Sequence, residues 1–181
     1  MYTRETIDKV ADIVRKHLNF DTPAYNPLTA VELLEGSVIY DVFDECIDAY
    51  IEKTKNDDSK KFIIHLNANK PFSRTRFSLA HELGHLFLHM GFLTDRWNTA
   101  ETFNDSIYFR TIYRKDNNYS EEESEANEFA AAFLMPTEQF KKEVFSCTSN
   151  GEIDFYTISS KFEVSEQAAM NRARFLGITG W

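Results

Sequence analysis

"SLAHELGHLFLHM", residues 78–90, sets His81, Glu82 and His85 inside an otherwise apolar run. On an α-helix, residues four apart project from one face about one turn, ~6 Å, apart, so both imidazoles can reach one ion. Zinc takes nitrogen or oxygen donors at about 2.0–2.1 Å in a near-tetrahedral shell, and catalytic sites leave one position to water. Glu82, next to the first histidine, can take that water's proton as it attacks a carbonyl and later give it to the departing amine. Leu79, Leu83, Leu86, Phe87 and Leu88 surround these groups, and ionisable side chains on a buried helix need a partner to offset desolvation. Gly84, which costs a helix interior about 1 kcal/mol, makes sense where another element packs close beside the histidines. His89 lies about 80° round the helix from His81 and off the ten-residue spacing of the three-histidine pattern. It reads as a helix-end histidine favoured by the C-terminal dipole.

Two histidines leave such a site a ligand short, and the glutamates at 121–128 are the place to search. Ser120 with Glu123 also fits a capping box, and acidic residues suit a helix N-terminus. At about 100° per residue, Ala126, Phe129, Ala130, Phe133 and Leu134 form an apolar stripe, with Glu122 and Glu123 flanking it about 50° from its centre. Glu121, Glu125 and Glu128 point away from the stripe, and Asn127 lies one turn after Glu123 on the same edge. The spacing leaves Glu122 and Glu123 both open as the third ligand.

Outward from these two stretches the 181-residue chain, 43% hydrophobic and 27% charged, reads as one globular domain without repeats. A helix is expected over 5–18, a second over "LTAVELLE", and strands at SVIYDVF (37–43), CIDAYIE (46–52) and KFIIHLN (61–67). These strands predict a small antiparallel or mixed sheet. Helices follow at 74–90, at 120–135 up to Pro136, and over "TEQFKKEVF", and the tail predicts two short helices turning at Glu163 and Val164. Residues 91–119 read as loop, with a short strand possible at SIYFRTIY. Helix, sheet, then helices is an α+β order. A net charge of −9 disfavours a protein that coats nucleic acid. Cys46 and Cys147 form neither a disulfide framework nor a metal motif. The start has no apolar leader and no apolar run approaches ~18 residues, so a cytoplasmic protein without an anchor is expected.

Two longer stretches, "FSLAHELGH" (77–85) and "ESEANEFAAAFLMP" (123–136), resemble the paired motifs of the ImmA/IrrE metallo-endopeptidases, and "KFEVSEQAAMNRARFLG" resembles that family's ending. The resemblance covers about half the chain, from residue 74 onward. It implies zinc as cofactor, His81, His85 and Glu123 as metal ligands, and Glu82 as catalytic carboxylate. The implied fold is a thermolysin-like (gluzincin-like) zincin core, in which the motif helix lies against the sheet and a second helix delivers the glutamate. The division expected is a metallopeptidase domain over 1–150 and a C-terminal helical, helix-turn-helix-like pair over 151–181 packed on it.

The implied activity is zinc-dependent endoproteolysis of one regulatory protein, a helix-turn-helix repressor of the XRE type or an antitoxin, often on mobile genetic elements. The alternative is a non-proteolytic zinc-containing regulator that binds a partner protein or DNA. The substrate is expected extended along a strand edge, with KFIIHLN as the candidate strand. Tyr108, Arg110, Tyr113 and Arg114 are candidates to stabilise an oxyanion. Lys161, Arg172 and Arg174 offer phosphate contacts in the tail, but Glu152, Asp154, Glu163 and Glu166 surround them, so direct nucleic-acid binding is not expected.

Overall fold

The computed structural model describes residues 2–21, 25–43, 47–54, 59–98, 107–108 and 121–180. Helix α1 (Arg4–His17) starts where the Thr3 side chain accepts the Thr6 amide, and it buries Ile7, Ala11 and Val14. Helix α2 (Pro27–Leu33) begins with Asn26 accepting the Leu28 amide and with proline in its first turn, where a missing N–H costs nothing. Glu35 takes a positive φ of 62° to turn the chain into the sheet. Gly36 is the first residue of β1 (Gly36–Asp41). Its hydrogen faces the ring of Phe62, and a Cβ there would lie 2.4 Å from that ring, so only glycine fits.

The strands β2 (Ala49–Lys53), β3 (Phe62–Asn67) and β4 (Ile107–Tyr108) join β1 in the order β1-β3-β2-β4. The sheet is mixed, because β1 runs parallel to β3 while β2 is antiparallel to both β3 and β4. Alternation follows the pleat: Phe62, Ile64 and Leu66 are fully buried on one face, with Ile51 beside them. KFIIHLN is therefore a central strand with both edges already paired, and it does not offer the free edge expected of it. On the opposite face His65 stacks on Tyr50, with ring centroids 4.3 Å apart, between the carboxylates of Asp41 and Glu52.

Helix α3 (Phe72–Gly84) packs over the sheet and continues as a π turn, His85–His89, in which the Met90 amide reaches back five residues to the His85 carbonyl at 2.9 Å. The short α4 (Asp95–Asn98) follows. Helix α5 (Glu121–Leu134) lies between α1 and α3 and buries Ala126, Phe129, Ala130 and Phe133 completely. Gly84 sits where α3 and α5 cross, and a Cβ there would lie 3.0 Å from the Ala126 Cα. The close neighbour that this glycine implied is the α5 backbone.

After Pro136 come α6 (Thr137–Ser146), the two-residue strands β5 (Thr148–Ser149) and β6 (Glu152–Ile153), α7 (Phe155–Phe162) and α8 (Glu166–Phe175). Glu163 makes the turn between α7 and α8 in the left-handed region, φ 53°. Three buried arginines hold helix ends together. Arg15 donates to the carbonyls of Phe133 and Phe20 at 2.9 and 3.1 Å, and Arg172 donates to the Met135 carbonyl at 3.1 Å and pairs with Asp8 at 3.0 Å. Arg76 donates to the carbonyls of Tyr25 and Glu163. Cys147 is a half-buried free thiol, and Cys46 lies outside the described residues.

Candidate metal centre

His81 and Glu82 occupy the last turn of α3, and His85 opens the π turn, so both histidines leave the same face toward the first turn of α5. There Glu123 meets them. Its carboxylate oxygens lie 3.3 Å from His81 Nε2 and 3.4 Å from His85 Nε2, and the two Nε2 atoms are 3.1 Å apart. Ligands at about 2.0–2.2 Å from a tetrahedral ion stand about 3.3–3.6 Å from one another, since the tetrahedral edge is about 1.63 times the bond. All three spacings fall at or close to that edge. Among the described residues, His81, His85 and Glu123 are the group of potential ligands drawn this close, every pair within 4.8 Å. The alternative left open by spacing, Glu122, is exposed and does not join it.

The outer ring nitrogens explain the orientation. Asn127, one turn after Glu123, accepts from His81 Nδ1 at 3.1 Å, and that bond turns the Nε2 lone pair toward the trio. His85 Nδ1 lies 2.9 Å from His89 Nδ1, and His89 Nε2 lies 3.1 Å from a Glu125 oxygen. Two expectations are corrected here. His89 does end its helical turn but is buried there, 4% exposed, where a dipole contact alone was expected, and Glu125 does not point away but is 6% exposed. A signal for the first was present in the sequence, because 81, 85 and 89 are each four apart.

The charges fit a bound cation. Burial opposes the charged form of Glu123, but hydrogen bonds and charge from His81 and His85 prevail and hold it near 2. Burial likewise opposes a charge on His81, yet the contact with Glu123 and the charges of Glu82 and Glu123 hold it above the ordinary value. His85 is pushed down to about 4, chiefly by burial. An ionised carboxylate facing two imidazoles calls for positive charge between them, which a proton on His81 or a metal ion would supply.

Glu82 stands outside the trio. It is 5% exposed, and burial pushes its pKa up to about 7. With His81, Phe77 and Ser78 it borders a cleft of about 870 Å³ walled by α3, α5 and α8. Of the oxyanion candidates, Arg110, Tyr113, Arg114 and the side chain of Tyr108 lie outside the described residues.

The family model described as Peptidase_M78, IrrE N-terminal-like domain, matches residues 41–174. A solved Mycobacterium tuberculosis transcriptional regulator has a similar fold, with a TM-score of 0.61 at 16% identity over 94% of this chain. The chain spans 46% of that protein's length. No curated protein matches it significantly.

Proposed function

Because the chain belongs to the Peptidase_M78 family of IrrE N-terminal-like domains, a metallopeptidase family, we propose that it is a zinc-dependent endopeptidase. The observation that carries this reading is the trio of His81, His85 and Glu123 at tetrahedral spacings with a buried carboxylate, Glu82, on the same turn of helix. Two imidazoles and one carboxylate are the donor set of a catalytic zinc with a position left open. When bound, zinc supplies Lewis acidity that polarises a peptide carbonyl and acidifies water. His81 and His85 then hold their Nε2 lone pairs inward, Asn127 fixing the ring of the first. Glu82 takes the proton of the attacking water on its carboxylate and delivers it to the departing amide nitrogen, and its burial, which raises its pKa to about 7, keeps that carboxylate poised for both steps. The cleft between α3, α5 and α8 leads to this side of the motif helix and has room for an extended peptide segment.

The arrangement of sheet, α3 and α5 fits a thermolysin-like core over residues 1–150, with 151–181 as a helical pair packed on it. We take the substrate to be one regulatory protein of the helix-turn-helix, XRE-repressor or antitoxin class, recognised in the cytoplasm by docking outside the catalytic centre. The tail supports a role in packing more than in gripping DNA: Arg172 is buried against Asp8 and Met135, and Lys161 pairs with Glu143. No helix among the described residues is long and apolar enough to cross a membrane.

The test compares wild type with Glu82→Gln, measuring bound zinc by elemental analysis and following a candidate repressor's mass during incubation. Both proteins should carry zinc equally, and the glutamine variant should lose roughly 10²–10⁴-fold in cleavage rate. Equal zinc with an intact repressor in both would favour the regulator that binds its partner without cutting it, and absence of zinc from both would refute the metal centre.

A further inference from the structure

His89 and Glu125 have no part in the ligand trio, yet both are buried, and each is bonded to the other. Burying an imidazole and a carboxylate is costly unless their hydrogen bonds are satisfied. We propose that His89 and Glu125 form a two-residue positioning relay that sets the tautomer and ring orientation of His85, and through it the affinity of the centre for its metal. The inference rests on the reading of His81, His85 and Glu123 as ligands.

The proton arrangement follows from the geometry. His85 Nε2 faces the trio, 3.1 Å from His81 Nε2 and 3.4 Å from Glu123, so it must offer a lone pair there. The ring's one proton then belongs on Nδ1, which donates across 2.9 Å to His89 Nδ1. His89 must in turn carry its proton on Nε2, which donates across 3.1 Å to Glu125 Oε2. The other oxygen, Oε1, accepts the backbone N–H of Tyr2. Each link has one donor and one acceptor, and reversing any of them would place two protons or two lone pairs face to face.

The two ligand histidines are therefore held differently. His81 is met by the short amide of Asn127, which lies one helical turn beyond Glu123 on α5. Glu125 lies two residues beyond Glu123, about 200° round α5, and so leaves on another face of that helix. It reaches His85 only through the intervening ring of His89, whose centroid stands 5.0 Å from that of His85. The turn His85–His89 carries a five-residue hydrogen bond, and its two rings stand 5.0 Å apart, much as those of His81 and His85 stand 4.8 Å apart one turn earlier. Partners of this kind on ligand histidines are worth about 10–100-fold in metal affinity.

The test uses zinc-loaded full-length protein and three variants, His89→Phe, Glu125→Leu and Glu125→Gln, with two readouts. One is zinc affinity by competition with a chromogenic chelator, and the other is the imidazole ¹H–¹⁵N spectrum, which reports which ring nitrogen of His85 holds the proton. His89→Phe and Glu125→Leu should each weaken zinc binding about 10–100-fold, and His89→Phe should also remove the signature of a hydrogen-bonded Nδ1–H on His85. Glu125→Gln keeps an acceptor for His89 and should keep most of the affinity together with the Nδ1–H signature of His85, and that signature is the readout a role in packing alone would not move. Wild-type affinity and an unchanged His85 spectrum in whichever of His89→Phe and Glu125→Leu folds would overturn the relay while leaving the metal centre standing. Failure of wild type itself to bind zinc would overturn both.

Discussion

Replacing Gly84 by alanine tests the geometry of the centre without touching a ligand. The added methyl would lie 3.0 Å from the Ala126 Cα, 3.1 Å from the Ala126 carbonyl oxygen and 3.2 Å from the Phe129 Cβ. Carbon atoms in ordinary contact stand about 3.5–4.0 Å apart, and backbone atoms have no rotamer through which to yield. The helices α3 and α5 must therefore part by a few tenths of an ångström at their crossing. Alanine gains about 1 kcal/mol of helix propensity, while overpacking costs about 1–3 kcal/mol. Folding stability should thus change by between nothing and a loss of about 2 kcal/mol. Metal binding should respond more sharply, because His81 and His85 ride on one helix and Glu123 on the other. The His81 to His85 spacing of 3.1 Å is internal to its helix and survives, whereas the 3.3 and 3.4 Å spacings to Glu123 open. Ligand distances are tolerated within about 0.2 Å, so zinc affinity should fall by about tenfold or more, measured by chelator competition alongside thermal denaturation. A variant stabilised by the full propensity gain of about 1 kcal/mol, with unchanged zinc affinity, would refute the claim that this crossing sets the site.

Two further perturbations address the scaffold. Arg172→Met removes the donors to Met135 and Thr137 and leaves Asp8 to the Thr137 hydroxyl, so urea denaturation should show a loss of roughly 1–3 kcal/mol, and an unmoved midpoint would contradict the anchoring role. Burial opposes ionisation of Asp48, but its bonds to Arg74 and Lys70 prevail and hold its carboxyl below the ordinary range. A depressed native pKa adds stability above the unfolded value, about 4, that is lost as pH falls through the native one. The melting temperature of wild type should accordingly exceed that of Asp48→Asn at pH 7, and the gap should close on acidification below about pH 4. A gap that does not narrow at all as the pH falls below about 4 would show that the carboxylate's charge is not its source.

The parts of the site written in local spacing were legible in the sequence. His81, Glu82 and His85 depend only on the pitch of one helix, and Gly84 announced a close neighbour because a helix interior otherwise disfavours glycine. Angular arithmetic narrowed the candidate third ligand to Glu122 or Glu123, and the motif resemblance pointed to Glu123, whose carboxylate faces both histidines. The same arithmetic misplaced Glu125. It assumed one buried stripe, whereas α5 is packed by α1 on one side and α3 on the other, so a flank read as solvent-facing is covered. The sheet order was illegible for a related reason. Alternation shows which face of KFIIHLN is buried, but which strand lies beside it depends on pairing between residues far apart in the chain. The parallel β1–β3 pair put it in the centre. The π turn escaped because a five-residue hydrogen bond leaves the apolar pattern of LFLHM unchanged.

The buried arginines give α5 the mechanics of a cantilever. Arg15 and Tyr25 both grip the Phe133 carbonyl, and Arg172 grips Met135, so the beam is clamped at its C-terminal end. Glu123 rides ten residues away, about 15 Å along the axis, near the opposite tip. Over that span a tilt of only about 2° swings the tip by about half an ångström, more than the tolerance of a ligand shell. Substitutions at the clamp that leave the protein folded should therefore detune its metal affinity from afar, and a selection for altered zinc binding should return Arg15 and Arg172 alongside the ligands themselves.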